Sequence, residues 1–300
     1  MSKIKTAFFL LTLFLFSLVF GGCAGTAATA EEYYSIGMAY FELGKYEEAE
    51  KWLLRARQSD RTMVASTYNL GRLAYEMQKY NEAARHFESI LKIDPDNILA
   101  LKAAAYSRIM TGDLNIAEKH YSKLLSLVPE SADDGYNHGL VLFAMGRYSA
   151  CEEVLEKYPI ALLENKDVML LYARAQAALN KVQAIESYAS FLGSYSDPKA
   201  RYEYAQILEN NQLYARAIEE YKKALGELQS ASTDPRRSDV RFALSRVLLI
   251  ADGGSSDGIT ELQGAVADGF KDIASIERLL NRVTPANRDI IRNIINNMRN

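Results

Sequence analysis

Small and apolar residues recur along this chain at one fixed interval. Gly37, Gly71, Ala105 and Gly139 stand 34 positions apart, as do Ala49, Ala83, Ala117 and Cys151, and again Leu53, Phe87, Tyr121 and Leu155. Pro95 and Pro129 keep the same step, and so do Gly44, Gly112 and Gly146, with Gln78 in the intervening place. A period of this length, held without drift, marks a repeat array in which each unit buries its apolar side against the next. Within a unit the apolar positions follow helical spacing in two stretches, for example 65–77 and 80–93, joined by a polar turn and closed by Asp94-Pro95-Asp96-Asn97. Pro cannot continue a helix interior, and Asp and Asn favour turns and helix starts. Gly or Ala in the first helix and Ala in the second remove bulk where the pair crosses.

The segment YNLGRLAYEMQKYNEAARHFESILKIDPDN, residues 68–97, resembles a tetratricopeptide repeat (TPR). Leu70-Gly71, Tyr75 displaced by one, Ala83, Phe87 and Pro95 fall on the family's slots. The likeness continues through Ala184 and Tyr188 and is sharp again at Ala205, Tyr214, Ala217, Tyr221 and Ala224. It implies an all-α fold, a TPR-type α-solenoid wound as a right-handed superhelix of antiparallel helix pairs, with six pairs over residues 30–230. After the polar loop 229–238, stretches 240–251 and 259–267 predict a seventh, degenerate pair. Helices near 273–280 and 286–298 complete residues 231–300. The last of them sets Ile290, Ile291, Ile294, Ile295 and Met298 against Arg and Asn, as a capping helix with a polar outer face requires.

The first 22 residues read as an address. Lys3 and Lys5 precede an apolar run, 7–20, interrupted only by Thr12 and Ser17, the order of a secretory signal peptide. As a helix that run rises about 21 Å, short of the roughly 30 Å hydrocarbon core. Gly21-Gly22-Cys23 follows at once and resembles the lipobox of bacterial lipoproteins, although Phe20 stands where the pattern usually has Leu. The resemblance implies a lipid on the Cys23 sulfur, with residues 23–30 as a short tether and the protein anchored in the bacterial cell envelope, facing the periplasm or the outside. The alternative is cleavage after Ala28-Thr29-Ala30, which gives a soluble periplasmic protein.

Charge narrows the partners. Lys and Arg number 35 against 38 Asp and Glu, a formal charge of -3, and no stretch is dense enough in cations to neutralise many phosphates, which argues against nucleic acid. In TPR arrays the first helices of successive pairs line a concave surface that holds peptides, helices or small ligands. That face maps here onto Tyr34, Tyr68, Lys102, Tyr136, Met169 and Tyr202 in one slot, and onto Phe41, Tyr75, Ile109 and Phe143 one turn further on. Met38 and Tyr106 lie beside them. Tyr offers a flat apolar face and one hydroxyl, a combination suited to gripping a backbone. Such a groove favours an apolar or aromatic segment of an envelope protein, with an apolar small molecule, carried for a transport system, as the alternative occupant. Some TPR proteins clamp a terminal carboxylate with Lys and Asn; Tyr34 and Met38 fill two of those slots and only Asn69 matches.

Catalytic chemistry is sparse, and neither enzyme activity, cofactor nor metal is expected. His86 and His120 sit 34 apart without a third ligand, and His138 lies in the packing slot beside Gly139. The acidic pairs Asp133-Asp134, Glu152-Glu153 and Glu219-Glu220 read as solvated helix faces, since adjacent helical residues point about 100° apart. The Gly-Ser run 253–258 lacks the Lys of a phosphate loop and reads as a linker. Cys151, in an Ala slot, reads as an inert buried thiol.

Overall fold

A computed structural model describes residues 28–229, 232–251 and 256–299. The leader and Cys23 lie outside these, as does the first half of the Gly-Ser run. The described residues fold as helices: α1 Ala30–Glu42, α2 Tyr46–Ser59, α3 Val64–Glu76, α4 Tyr80–Leu91, α5 Ile98–Thr111, α6 Leu114–Leu127, α7 Ala132–Ala144, α8 Tyr148–Leu155, α9 Ala161–Glu164, α10 Lys166–Ala178, α11 Ala184–Ser194, α12 Pro198–Asn210, α13 Tyr214–Glu227, α14 Arg237–Ala251, α15 Ser256–Ala267, α16 Ile273–Glu277 and α17 Pro285–Arg299. None of the described helices is long and apolar enough to cross a membrane. Contacts divide the chain after His120, within α6, into two units.

In the first unit the interval of 34 is the spacing of helix starts, at 30, 64 and 98. α1 opens on a reciprocal cap: Thr29 Oγ1 accepts from the Glu32 N–H at 3.2 Å while Glu32 Oε2 accepts from the Thr29 N–H at 2.7 Å. The small slots exist because the second helix lies against them. A Cβ on Gly37 would stand 2.9 Å from Leu53 Cγ, and one on Gly71 2.6 Å from the Phe87 ring. Each first helix ends in one left-handed residue, Gly44 (φ +69°), Gln78 (φ +59°) or Gly112 (φ +81°). The next N–H then reaches back five residues, as in Lys45 to the Tyr40 carbonyl and Lys79 to that of Ala74, satisfying carbonyls the helix end leaves open.

The second unit uses the same turn at Gly146, Asn180 and Gln212. Its spacing then slips. First helices start at 132 and 166, but the next starts at 198, so two residues are lost. Counted from the helix starts, Leu170 rather than Met169 occupies the slot of Tyr136, and Ala173, fully buried, takes that of Gly139. One core cluster, with Tyr188, Phe191, Tyr204, Leu208, Tyr221, Val240 and Val247, binds α10 to α14. A second, with Leu249, Leu262, Phe270, Ile276, Leu279, Ile291 and Ile295, ties α14 and α15 to the closing helices. α15 begins at Ser256, earlier than the apolar pattern placed it, because Gly258 belongs to the helix and packs where a Cβ would meet Leu249 Cγ at 2.7 Å.

A candidate binding face on the first helices

In the first unit, α1, α3 and α5 carry the predicted residues. Tyr34 is half-buried and accepts a hydrogen bond from Asn69 Nδ2 at 3.0 Å. Asn69 is buried and spent within the face, since its Oδ1 also accepts from Arg72 at 3.0 Å. Met38 and Phe41 pack on the Ala49, Leu53, Leu70 and Leu73 core. The Arg72 guanidinium lies 4.9 Å over the Phe41 ring. Tyr68 is half-buried against Phe87, centroids 5.3 Å apart. The Tyr slot therefore does two jobs, with one side of each ring in the helix-pair core.

Further along, the face opens. Tyr75 meets Tyr80 edge-on at 5.1 Å and Tyr106 at 6.2 Å. Tyr75 and Tyr106, together with Arg72, Glu76, Phe87 and Ala103, line a cleft of about 170 Å³. Burial, and after it the neighbouring Tyr106, holds the Tyr75 hydroxyl above its ordinary range, so it stays a neutral donor. Beside the cleft Tyr106 is 47% exposed, and along the same helix Leu99 is 63% and Met110 44% exposed, with Lys102 also at the surface. Leu99 and Met110 were not singled out by the Tyr slot. Their signal was the helical spacing Leu99, Ala103, Tyr106, Met110, one apolar stripe on α5.

In the second unit the corresponding helices look different. Tyr136 and Phe143 are half-buried beside Leu142, Leu155 and Leu171, and Phe143 meets Tyr148 edge-on at 5.0 Å. Burial, then Asp167, raises the Tyr136 hydroxyl. Tyr202 leans on Tyr221 at 5.8 Å. Around it runs a ladder of charge. Arg174 clasps Glu203 with two bonds of 2.9 and 3.0 Å, and Tyr188 Oη donates to the same carboxylate at 2.9 Å. Arg246 clasps Glu209 at 2.7 Å twice, and Tyr221 Oη donates to it at 2.8 Å. Bidentate pairs of this kind fix geometry as well as charge.

Among the described residues no group of three His, Cys, Asp or Glu stands together as a metal would need. His86 is half-buried, 3.4 Å from Arg57 and 3.9 Å from Glu82; His120 is 3.6 Å from Glu88, which is itself clasped by Arg108. His138 is buried and stacked on Tyr121. Cys151 is fully buried, and burial, then Glu152, pushes its thiol up to about 12, far from a reactive thiolate. The acidic pairs are not simply solvated faces. Glu152 is buried, taking bonds from Gln176 and Lys181, and Asp134 is buried beside exposed Asp133. Glu220 is clasped by Arg201 and Lys223. The turn of 100° that keeps neighbours from sharing a proton also sends one of each pair inward.

Known proteins bear on this arrangement. An uncharacterized lipoprotein of Treponema pallidum (strain Nichols) is 26% identical over 162 residues, 53% of this chain and 83% of that protein. Among solved structures, a tetratricopeptide repeat protein from Parabacteroides merdae ATCC 43184 superposes with a TM-score of 0.56 at 19% identity, covering 83% of this chain and 96% of that one. YrrB, described as a TPR protein with an unusual peptide-binding site, gives 0.54 at 17% identity, covering 65% and 98%. Both likenesses are of fold. Family models of the tetratricopeptide repeat match residues 25–96 and, in a second form, 68–134 and 172–235, together more than half of the sequence. Repeat spacing, helix-pair geometry and these matches agree: the chain belongs to the tetratricopeptide repeat family.

Proposed function

We propose that this protein is a noncatalytic scaffold of the bacterial cell envelope, anchored through a lipid on Cys23, whose α1, α3 and α5 hold an apolar or aromatic-rich segment of a partner protein. The observation that carries the binding role is the open end of the first unit's face. There Tyr106 stands exposed on a cleft walled by Tyr75 and Phe87, and Leu99 and Met110 are exposed along the same helix. Exposed apolar side chains grouped on one helix mark an interaction surface more than chance scatter does. The cleft admits a side chain rather than a metabolite, being smaller than the roughly 300–1,000 Å³ of sites that enclose small ligands. That favours a peptide over the transport-accessory reading. YrrB, of the same fold, is described by its peptide-binding site, which supports this choice. The anchor rests on the Gly21-Gly22-Cys23 motif and on the similarity to a lipoprotein.

The test uses a library of displayed peptides to find ligands. Tyr106→Ala with Met110→Ala is expected to weaken the selected peptides about tenfold or more while the melting curve stays near wild type, as truncating exposed interface anchors does. Unchanged affinity would move the site elsewhere. Cys23→Ala is expected to abolish incorporation of labelled fatty acid, and continued labelling would remove the anchor.

A further inference from the structure

The fourth helix pair departs from its neighbours in a way that builds a surface. α8 has eight residues where α6 and α13 have fourteen. Past Leu155 the chain folds Tyr158 back over α7. Gly135 is what lets it do so, since a Cβ there would stand 2.1 Å from the Tyr158 ring. Pro159, Ile160 and the single turn α9 follow, and Asn165 then caps α10 through its Oδ1. The space the shortened helix gives up becomes a recess of about 560 Å³, with Pro129, Ala132, Tyr158 and Ala161 among its walls and Glu130, Lys157 and Glu164 around it.

On the wall of the recess Ile160 is 71% exposed, and next to it Leu163, outside the recess, is 74% exposed. They are not carried on a loose loop. The Leu163 and Glu164 N–H groups each donate to the Ile160 carbonyl at 3.0 Å, and Tyr195 Oη donates to the Glu164 carbonyl at 3.0 Å. Holding two large apolar side chains in water in one fixed backbone shape costs conformational entropy with no burial in return. Lys157, Glu130 and Glu164 form no ion pairs among the described residues, so both signs of charge are free at the same rim.

We propose that this patch joins two copies of the chain across a two-fold axis. Leu163 of one copy enters the recess of the other and packs on its Ile160, and Lys157 of each faces Glu164 of its mate. A two-fold contact demands that one patch carry both halves of the fit. Knob and recess, cation and anion all lie here within residues 129–165, and a different partner would require only one half of each. The contact uses none of the residues of the face proposed on α1, α3 and α5.

Cross-linking tests it in the full chain carrying Cys23→Ser, where buried Cys151 is the other thiol. Leu163→Cys treated with a short bis-maleimide is expected to give a band of twice the chain mass, and Val182→Cys, exposed on another loop, is not. Adding Lys157→Glu should cut the Leu163→Cys dimer about fivefold or more, and Glu164→Lys on top of it should restore the yield, as a charge swap across an interface does. Absence of the Leu163→Cys dimer, equal dimer from Val182→Cys, or a yield indifferent to Lys157→Glu would overturn the proposal. So would a native mass spectrum showing a small adduct, lost in Ile160→Asp, in place of a doubled mass.

Discussion

The same helical slot is filled in opposite ways in the first unit and in α12 of the second, while Phe143 keeps a ring there in α7. Counted from the helix start, the place that holds Phe41 in α1 and Tyr75 in α3 holds Glu209 in α12. The place of Asn69 holds Glu203, and the place of Arg72 holds Arg174. In the first unit the Arg lies on an aromatic ring and the slot beyond it opens into a cleft. In the second the Arg clasps a carboxylate, and the next carboxylate is closed by Arg246 and Tyr221. One backbone thus serves as a receptive face where its first helices carry rings, and as a self-satisfied one where they carry ion pairs. TPR geometry supplies positions; the side chains decide whether a position is available to a partner.

The strongest way to break this contrast is to open the ladder. Glu209→Ala leaves Arg246 without its carboxylate and the buried Tyr221 hydroxyl without its acceptor. Removing one member of such a pair strands the other, and the expected cost is about 2–4 kcal/mol in urea unfolding. Peptide binding by the first unit should not change. A loss under about 0.5 kcal/mol would mean the ladder is ornamental surface charge. The reciprocal exchange, Tyr75→Glu, imports the second unit's residue without its Arg and Tyr partners. It should cost about 1–2 kcal/mol from lost ring contacts with Tyr80 and Tyr106 and abolish peptide selection.

Acid should distinguish the units as well. Burial lowers His86, helped by Arg57 against the pull of Glu82, and burial lowers His120 against the pull of Glu88. Burial on its own would raise Glu88, but the bonds from Arg108 and His120 outweigh it and hold its carboxyl low. For a His depressed in the folded state, the unfolded chain takes up the proton first as pH falls. The stability it contributes is therefore present above about pH 6.5 and is lost as pH falls toward the folded value. Hydrogen-exchange protection in α4 and the first half of α6, taken relative to the intrinsic rate at each pH, should fall as pH drops below about 6.5, and His86→Gln with His120→Gln should flatten that dependence. Protection in the double variant that still falls as before would assign the effect to other groups.

Much of this was legible in the sequence. The repeat could be read because a close helix crossing admits only small residues, so Gly37, Gly71 and Gly139 mark the register directly. What could not be read depended on partners far along the chain. Nothing local says that Glu209 meets Arg246 37 residues away, or that Glu152 turns inward to Gln176 and Lys181. The slot of Leu170 escaped because both residues are lost after α10 begins at 166, whereas equal steps of 33 from Tyr136 to Tyr202 fall on Met169. The Tyr slot was visible, but its division between core and surface is set by the second helix: Phe87 against Tyr68 and Tyr221 against Tyr202.

The smallest effect concerns the turns shared by both units. The left-handed residue is Gly in three of the six turns, at Gly44, Gly112 and Gly146, and a residue with a side chain at Gln78, Asn180 and Gln212. A side chain in that conformation brings Cβ against the following carbonyl, which costs about 1 kcal/mol, less for Asn than for Gln. Gln78→Gly should therefore stabilise by about 0.5–1 kcal/mol and raise Tm by about 1–3 °C. Gly112→Ala, with open space around its Cβ, should lose a similar amount through backbone strain alone. Since Gln78 caps α3, which carries Tyr75, the glycine variant also asks whether the receptive face tolerates a firmer helix end. Peptide affinity unchanged with Tm raised places the turn outside the binding surface, whereas weakened affinity would make the Gln78 side chain part of it.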